Sequence, residues 1–119
     1  MLQYNGLTLA YVGDAIYEGY IRQKLIEQGH VQVNILHDKA TAYTSAEGQA
    51  EALKKITSCL SEEELAVVKR GRNANSTRRS KNASLQTYKW ATGFEALLGY
   101  LYLSDKKTRL YELLDTSFD

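Results

Sequence analysis

Proline is absent from this chain of 119 residues, and glycine occurs only 8 times. A β-sandwich or barrel needs frequent turns, so the scarcity of both turn formers disfavours an all-β fold and favours long helices. Cysteine occurs once, at Cys59. An internal disulfide is therefore excluded, which fits a reducing compartment, and with no base beside it Cys59 reads as an inert packed thiol. No apolar run is long enough to span a bilayer, and the N-terminus lacks the basic start of a signal peptide. These absences together predict a cytoplasmic location. The length fits one domain over residues 1–119, with no room for a separate appended one.

What is present is an ordinary globular composition, 44% hydrophobic and 24% charged. The net charge of +1 hides a segregation. Lys69, Arg70, Arg72, Arg78, Arg79 and Lys81 place six positive charges in KRGRNANSTRRSKN with no acid among them, while the other nine basic and 14 acidic residues leave the rest at −5. Such a segment suits a polyanionic partner. Its Gly, Asn, Ser and Thr content reads as a loop between helices, and its Arg and Asn side chains are donors of the kind that grip phosphate. A merely solvated surface loop is the alternative.

Periodicity predicts about six helical segments and an all-α fold. The first runs from about Leu7 to Gln28 and ends at Gly29. A short stretch over 31–36 precedes a helix from about His37 to Tyr43, which breaks near Thr44-Ser45 before reaching Ile56. Ser61 with Glu64 forms a capping box that starts a helix to about Lys69. Beyond the basic segment come an apolar helix from about Gln86 to Leu103 and a last one from about Asp105 to Asp115.

Two carboxylates stand out. Asp14 is the only charged residue from Met1 to Tyr17, and Glu95 the only one from Trp90 to Ser104. Both stretches read as helices that a small domain buries, where an unpaired carboxylate is costly. Acids on facing helices are how bundles hold hard cations such as Mg²⁺, which polarise phosphoryl oxygens and activate water. Beside a basic loop, that chemistry implies phosphodiester hydrolysis. Two bland readings stand against it: Asp14 as a satisfied structural residue, and Glu95 paired with Lys89 or Arg109.

Tyr11-Val12-Gly13-Asp14-Ala15-Ile16-Tyr17 resembles the signature of the ribonuclease III family, and the helix Phe94-Glu95-Ala96-Leu97-Leu98-Gly99 resembles that family's second acidic motif. Leu36-His37, Ala40-Thr41, Ser45-Ala46, Gln49-Ala50 and 70–74 are similar to the short branch, Mini-ribonuclease III, which lacks the double-stranded-RNA-binding domain. The resemblance implies a homodimeric, Mg²⁺-dependent endoribonuclease, with Mn²⁺ as a substitute, acting on double-stranded RNA. It further implies 5′-phosphate and 3′-hydroxyl ends, maturation of large-subunit (23S) precursor ribosomal RNA with a ribosomal protein as a possible presenter, and an origin in bacteria before plastids. Asp14 and Glu95 are the implied catalytic and metal-binding residues. Arg70, Arg72, Asn73, Arg78, Arg79 and Lys81 are the expected RNA contacts. Glu18 is expected as a supporting or dimer contact and His37 as a cap or RNA contact, while Tyr17, Tyr20, Tyr100 and Tyr102 are expected in the core or a dimer interface.

The departures matter. Larger members carry acids where this chain has Leu7, Ala10 and Thr92, so only two carboxylates of the cluster remain. Their loss also admits a rival: a non-catalytic, ribosome-associated RNA-binding module of the same fold. A second rival, an all-α metal-dependent nucleotide phosphohydrolase, lacks convincing His-Asp or Glu-x-x-Glu ligands here.

Overall fold

The computed structural model describes residues 4–74 and 84–119. Arg78, Arg79 and Lys81 lie outside these described residues. Six α-helices follow in order: α1 (Gly6–Glu27), α2 (Val33–Thr44), α3 (Ala46–Ile56), α4 (Glu62–Arg72), α5 (Leu85–Leu103) and α6 (Lys107–Phe118), with a 3₁₀ turn at Thr57–Cys59 before α4. No strand occurs among the described residues. The all-α expectation holds.

Helix α5 is apolar nearly all round because α1, α3, α4 and α6 all pack against it. Phe94, Leu97, Leu98 and Leu101 are fully buried, meeting Leu9 and Ile21 from α1, Ile56 from α3, Val68 from α4 and Leu110 and Leu114 from α6. Tyr17 lies edge-on to Phe94, with ring centroids 5.1 Å apart. Tyr17, Tyr20 and Tyr100 are core residues, as expected, whereas Tyr102 is exposed.

Helix ends follow local chemistry. Gly29 (φ 101) closes α1 in a Schellman motif, with His30 N–H donating to Leu25 O and Gly29 N–H to Ile26 O. Asp105 (φ 58) does the same after α5, through Lys106 N–H to Leu101 O and Asp105 N–H to Tyr102 O. The Ser61–Glu64 capping box forms as expected, and Glu64 also takes a bidentate grip from Arg109 on α6 at 2.8 Å. Arg109 is thereby committed away from Glu95.

Three expectations need correction. Helix α2 starts at Val33 rather than His37, absorbing most of the stretch read as a connector. Helix α4 continues to Arg72, so Arg70 and Arg72 sit on its last turn, not in a loop. Gly71 continues that helix because the lack of a side chain lets it press on α5: a Cβ there would lie 2.7 Å from the Ala96 Cβ. Cys59 is exposed rather than packed, with its carbonyl accepting from Arg109.

Candidate active site

Helices α1 and α5 cross without side chains between them. A Cβ on Gly13 would stand 1.8 Å from the Glu95 carbonyl oxygen, and one on Gly99 would stand 1.9 Å from the Leu9 carbonyl oxygen. Backbone therefore meets backbone at two points, and Asp14, the residue after Gly13, is delivered to the side of Glu95. The Gly-Asp pair is one device: the glycine makes the contact and the aspartate uses it.

The two carboxyl groups lie close enough to act on each other's proton. Glu95 is pushed up to about 8, first by burial, then by the hydrogen bond to Asp14 and by the Asp14 charge; Glu18 adds a push in the same direction. Asp14 differs from expectation in being exposed, because α1 turns this face to solvent: Leu7 and Tyr11, two turns and one turn before it, are also exposed, Tyr11 at 82%. No salt bridge engages Asp14 or Glu95 among the described residues.

Gln49, which the sequence marks only through the family resemblance, is the third member. Ser45 caps α3 by accepting from Gly48 N–H at 3.1 Å, and Gly48 lets the first turn of α3 press on the last turn of α2. Gln49 follows, 4% exposed, and its Nε2 donates to Glu95 Oε2 at 3.2 Å and to the Thr44 carbonyl at 3.1 Å. Its Oε1 is buried without a partner among the described residues, which costs about 1–3 kcal/mol. A signal existed: Gln49, Ala52, Leu53 and Ile56 form the core face of α3, and Gln49 is its one polar member.

Whether a divalent cation fits can be judged from these donors. Among the described residues no group of three or more His, Cys, Asp or Glu side chains gathers to hold one. What is present among the described residues is an oxygen-only set, two interacting carboxylates without a salt bridge and a buried amide oxygen in want of a donor. That suits a hard, largely hydrated ion such as Mg²⁺. The positions where larger family members carry acids do not add to the set: Ala10 is buried, Leu7 is apolar, and the buried Thr92 gives its hydroxyl to Tyr88 O at 3.0 Å.

The remaining candidates divide. Glu18 lies near Glu95 and pairs with Arg22 at 3.6 Å. It lines, with Arg22, His37 and Thr41, a groove of about 300 Å³ between α1 and α2. His37 sits within α2, whose N-cap is Gln32, so it does not cap. Arg70 donates to the Tyr4 carbonyl, and with Lys69 and Asn73 it lines an open groove of about 680 Å³ beside the start of α1. Arg72 donates to Asn73 Oδ1 at 3.0 Å and lies over the Trp90 ring at 4.8 Å. A Cβ on Gly6 would meet Arg70 O at 2.8 Å, so this basic end sits about 10 Å along α1 from Gly13.

The Ribonuclease III domain family matches residues 7–106, a span holding both carboxylates. The chain belongs to the ribonuclease III family. Mini-ribonuclease 3 of Enterococcus faecalis is 52% identical over 115 residues, 95% of this chain and 87% of that protein. Mini-ribonuclease 3 of a Thermoanaerobacter species is 47% identical over 117 residues, 98% of this chain and 82% of that protein. The crystal structure of a Fusobacterium nucleatum protein aligns with a TM-score of 0.86 at 33% identity, over 95% of this chain and 87% of that one. As a ribonuclease III member the chain is an endoribonuclease, in a family that acts on double-stranded RNA and generally depends on divalent metal. Helix α6 lies beyond the matched span yet shares the core through Leu110, Leu113 and Leu114. No helix among the described residues is long and apolar enough to cross a membrane.

Proposed function

We propose that Asp14 and Glu95 form the catalytic centre of a Mg²⁺-dependent endoribonuclease, active also with Mn²⁺, that cuts double-stranded RNA and matures 23S precursor ribosomal RNA in the bacterial cytoplasm. The observation that carries this reading is the pair itself: two interacting carboxyl groups, one pushed up to about 8, with no salt bridge to either among the described residues. A bound Mg²⁺ would polarise a phosphoryl oxygen and supply an activated water. The chain's own contribution is division of labour. Glu95, held by Gln49 and half-buried, anchors; Asp14, at the surface, faces both solvent and substrate. The decisive experiment is incubation with long double-stranded RNA and Mg²⁺ beside Asp14→Asn and Glu95→Gln; binding without cleavage by the parent protein would favour the non-catalytic module instead.

With two carboxylates, the ion depends on water and RNA phosphate for its other ligands. Mn²⁺ titrated in the presence of a non-cleavable duplex is expected to bind at least about tenfold more tightly than to the protein alone, a coupling of ordinary size. Equal affinity in both titrations counts against recruitment by RNA.

The reading includes a homodimer acting as a single-domain enzyme, supported by the exposed apolar side chains Leu7 and Tyr11 beside Asp14. The RNA is gripped by Arg70, Arg72 and Asn73 together with Arg78, Arg79 and Lys81, and a ribosomal protein can present it. Replacing Lys69 and Arg70 by Ala should weaken duplex binding and lower the slope of log affinity against log salt by about one for each phosphate no longer neutralised. Arg78→Ala with Arg79→Ala carries the same expectation, and an unchanged slope in both would move the interface elsewhere.

A further inference from the structure

We infer that Gln49 is the positioning residue of this site: its amide nitrogen sets the Glu95 carboxylate, and its Oε1 accepts a hydrogen bond from water on the divalent ion that Asp14 and Glu95 hold. The inference rests on the metal-dependent reading above and adds a residue and a role to it.

The amide's orientation is determined by its surroundings. Thr44 O and Glu95 Oε2 are both acceptors, 3.1 and 3.2 Å from the same atom, so that atom is the NH₂ and Oε1 must point the other way. There it is buried without a partner among the described residues. An apolar side chain would complete the core face that Gln49 shares with Ala52, Leu53 and Ile56, and would remove the orphaned side-chain oxygen. The half of the amide that is satisfied explains the tie between the α2–α3 corner and α5; the other half has no structural use.

A hydrated cation gives the orphan a purpose. Each water on such an ion presents protons that need acceptors, and partners of this kind orient the ligands and tune affinity. Sites rich in carboxylates supply those acceptors from surplus oxygens. This one has two carboxylates, both committed to the ion, and a neutral amide oxygen next to one of them adds an acceptor without adding charge. Gln49 touches neither substrate nor ion, so it acts through Glu95 and through water.

The test uses the intact protein and three readouts. Gln49→Met keeps shape and removes both hydrogen-bonding groups; Gln49→Glu keeps acceptor oxygens and removes the donor. Mn²⁺ binding without RNA, followed by the paramagnetic resonance of the free ion, should weaken about 10–100-fold in Gln49→Met and stay within about threefold of the parent, or tighten, in Gln49→Glu. Cleavage of duplex RNA by Gln49→Met should lose kcat by about tenfold or more with KM nearly unchanged. The metal-free melting temperature of Gln49→Met should stay within about 3 °C of the parent, since the orphan goes together with the bond to Thr44.

Parent-like Mn²⁺ affinity and kcat in Gln49→Met overturn the inference alone. So does a lowered melting temperature with unaltered affinity of the folded protein, which marks a merely structural tether, and so does equal loss in both variants, which removes Oε1 from the account. A parent protein that neither binds Mn²⁺ nor cuts duplex RNA overturns the metal-dependent reading and this inference with it.

Discussion

Asp14→Asn and Glu95→Gln should each reduce cleavage of long double-stranded RNA by at least about a thousandfold, a loss of roughly 4 kcal/mol in transition-state stabilisation. Duplex binding in a metal-free gel shift should survive in both, because Arg70 and Arg72, which would hold phosphate, lie on α4 while the altered side chains belong to α1 and α5. Glu95→Gln should also change stability, and in the opposite direction. The Glu95 carboxyl is pushed from its ordinary 4.5 up to about 8. Between those values the native state holds a proton that the unfolded chain releases, so the metal-free fold loses stability as pH rises through the window. Above about 8 the full cost of the buried charge is present; below about 4.5 it is absent. With EDTA at pH 8, Glu95→Gln should therefore melt roughly 5 °C or more above the parent, and the two should converge at low pH. A gap independent of pH would refute the buried-charge explanation, whatever happened to activity. The variant that removes catalysis is then the more stable protein.

Gly13→Ala should be the most damaging single-methyl change in the chain. The added carbon would stand 1.8 Å from the Glu95 carbonyl oxygen, and the obstacle is helix backbone rather than a side chain that could swing aside. Either α1 and α5 separate or α1 rotates; both disturb a core in which Leu9, Tyr17, Leu97 and Leu98 are packed to exclusion of water. Overpacking of this kind costs about 3 kcal/mol or more, which corresponds to roughly 10 °C in Tm for a domain of this size. Gly99→Ala, facing the Leu9 carbonyl at 1.9 Å, should behave alike. Gly19→Ala is the internal control. It lies on the same helix as Gly13, a Cβ there meets nothing within 4 Å, and it should gain about 0.5–1 kcal/mol from helix propensity. Urea denaturation of the three variants decides the matter, and parent-like stability in Gly13→Ala would mean that the crossing is looser than its backbone contacts require. Cleavage by the folded fraction of Gly13→Ala should also fall, because the displaced crossing draws Asp14 away from Glu95.

Periodicity is enough to find the helices because each buries one face on the core around α5, and apolar spacing records that burial directly. The Ser61–Glu64 cap and the Gly29 stop are readable because their chemistry is local. What cannot be read depends on meetings between distant segments. The continuation of α4 through Gly71 hangs on Ala96 and Gly93 across the interface, so propensity alone misplaces Arg70 and Arg72. The exposure of Asp14 reflects which side of α1 lies away from α5, and an apolar neighbourhood in sequence does not disclose it. Gln49 stays hidden as a functional residue because its value comes from Glu95, which lies on a different helix and 46 positions further along the chain. Asp14 and Glu95 are found for the reverse reason: an isolated charge in an apolar helix is conspicuous without any knowledge of its partner.

The glycine crossing also has a kinetic consequence. It joins helices near opposite ends of the chain, with about 80 residues between Asp14 and Glu95. Closing so large a loop is entropically expensive and contributes to slow folding, whereas the α2–α3 and α4 turns can form from neighbours. A chain still emerging from synthesis has no Glu95 to set beside Asp14, and a collapsed intermediate with the helices formed but uncrossed has the two carboxylates apart. On the proposed reading, hydrolytic capacity therefore arrives only when α1 and α5 have crossed, and a partly folded chain stays inert.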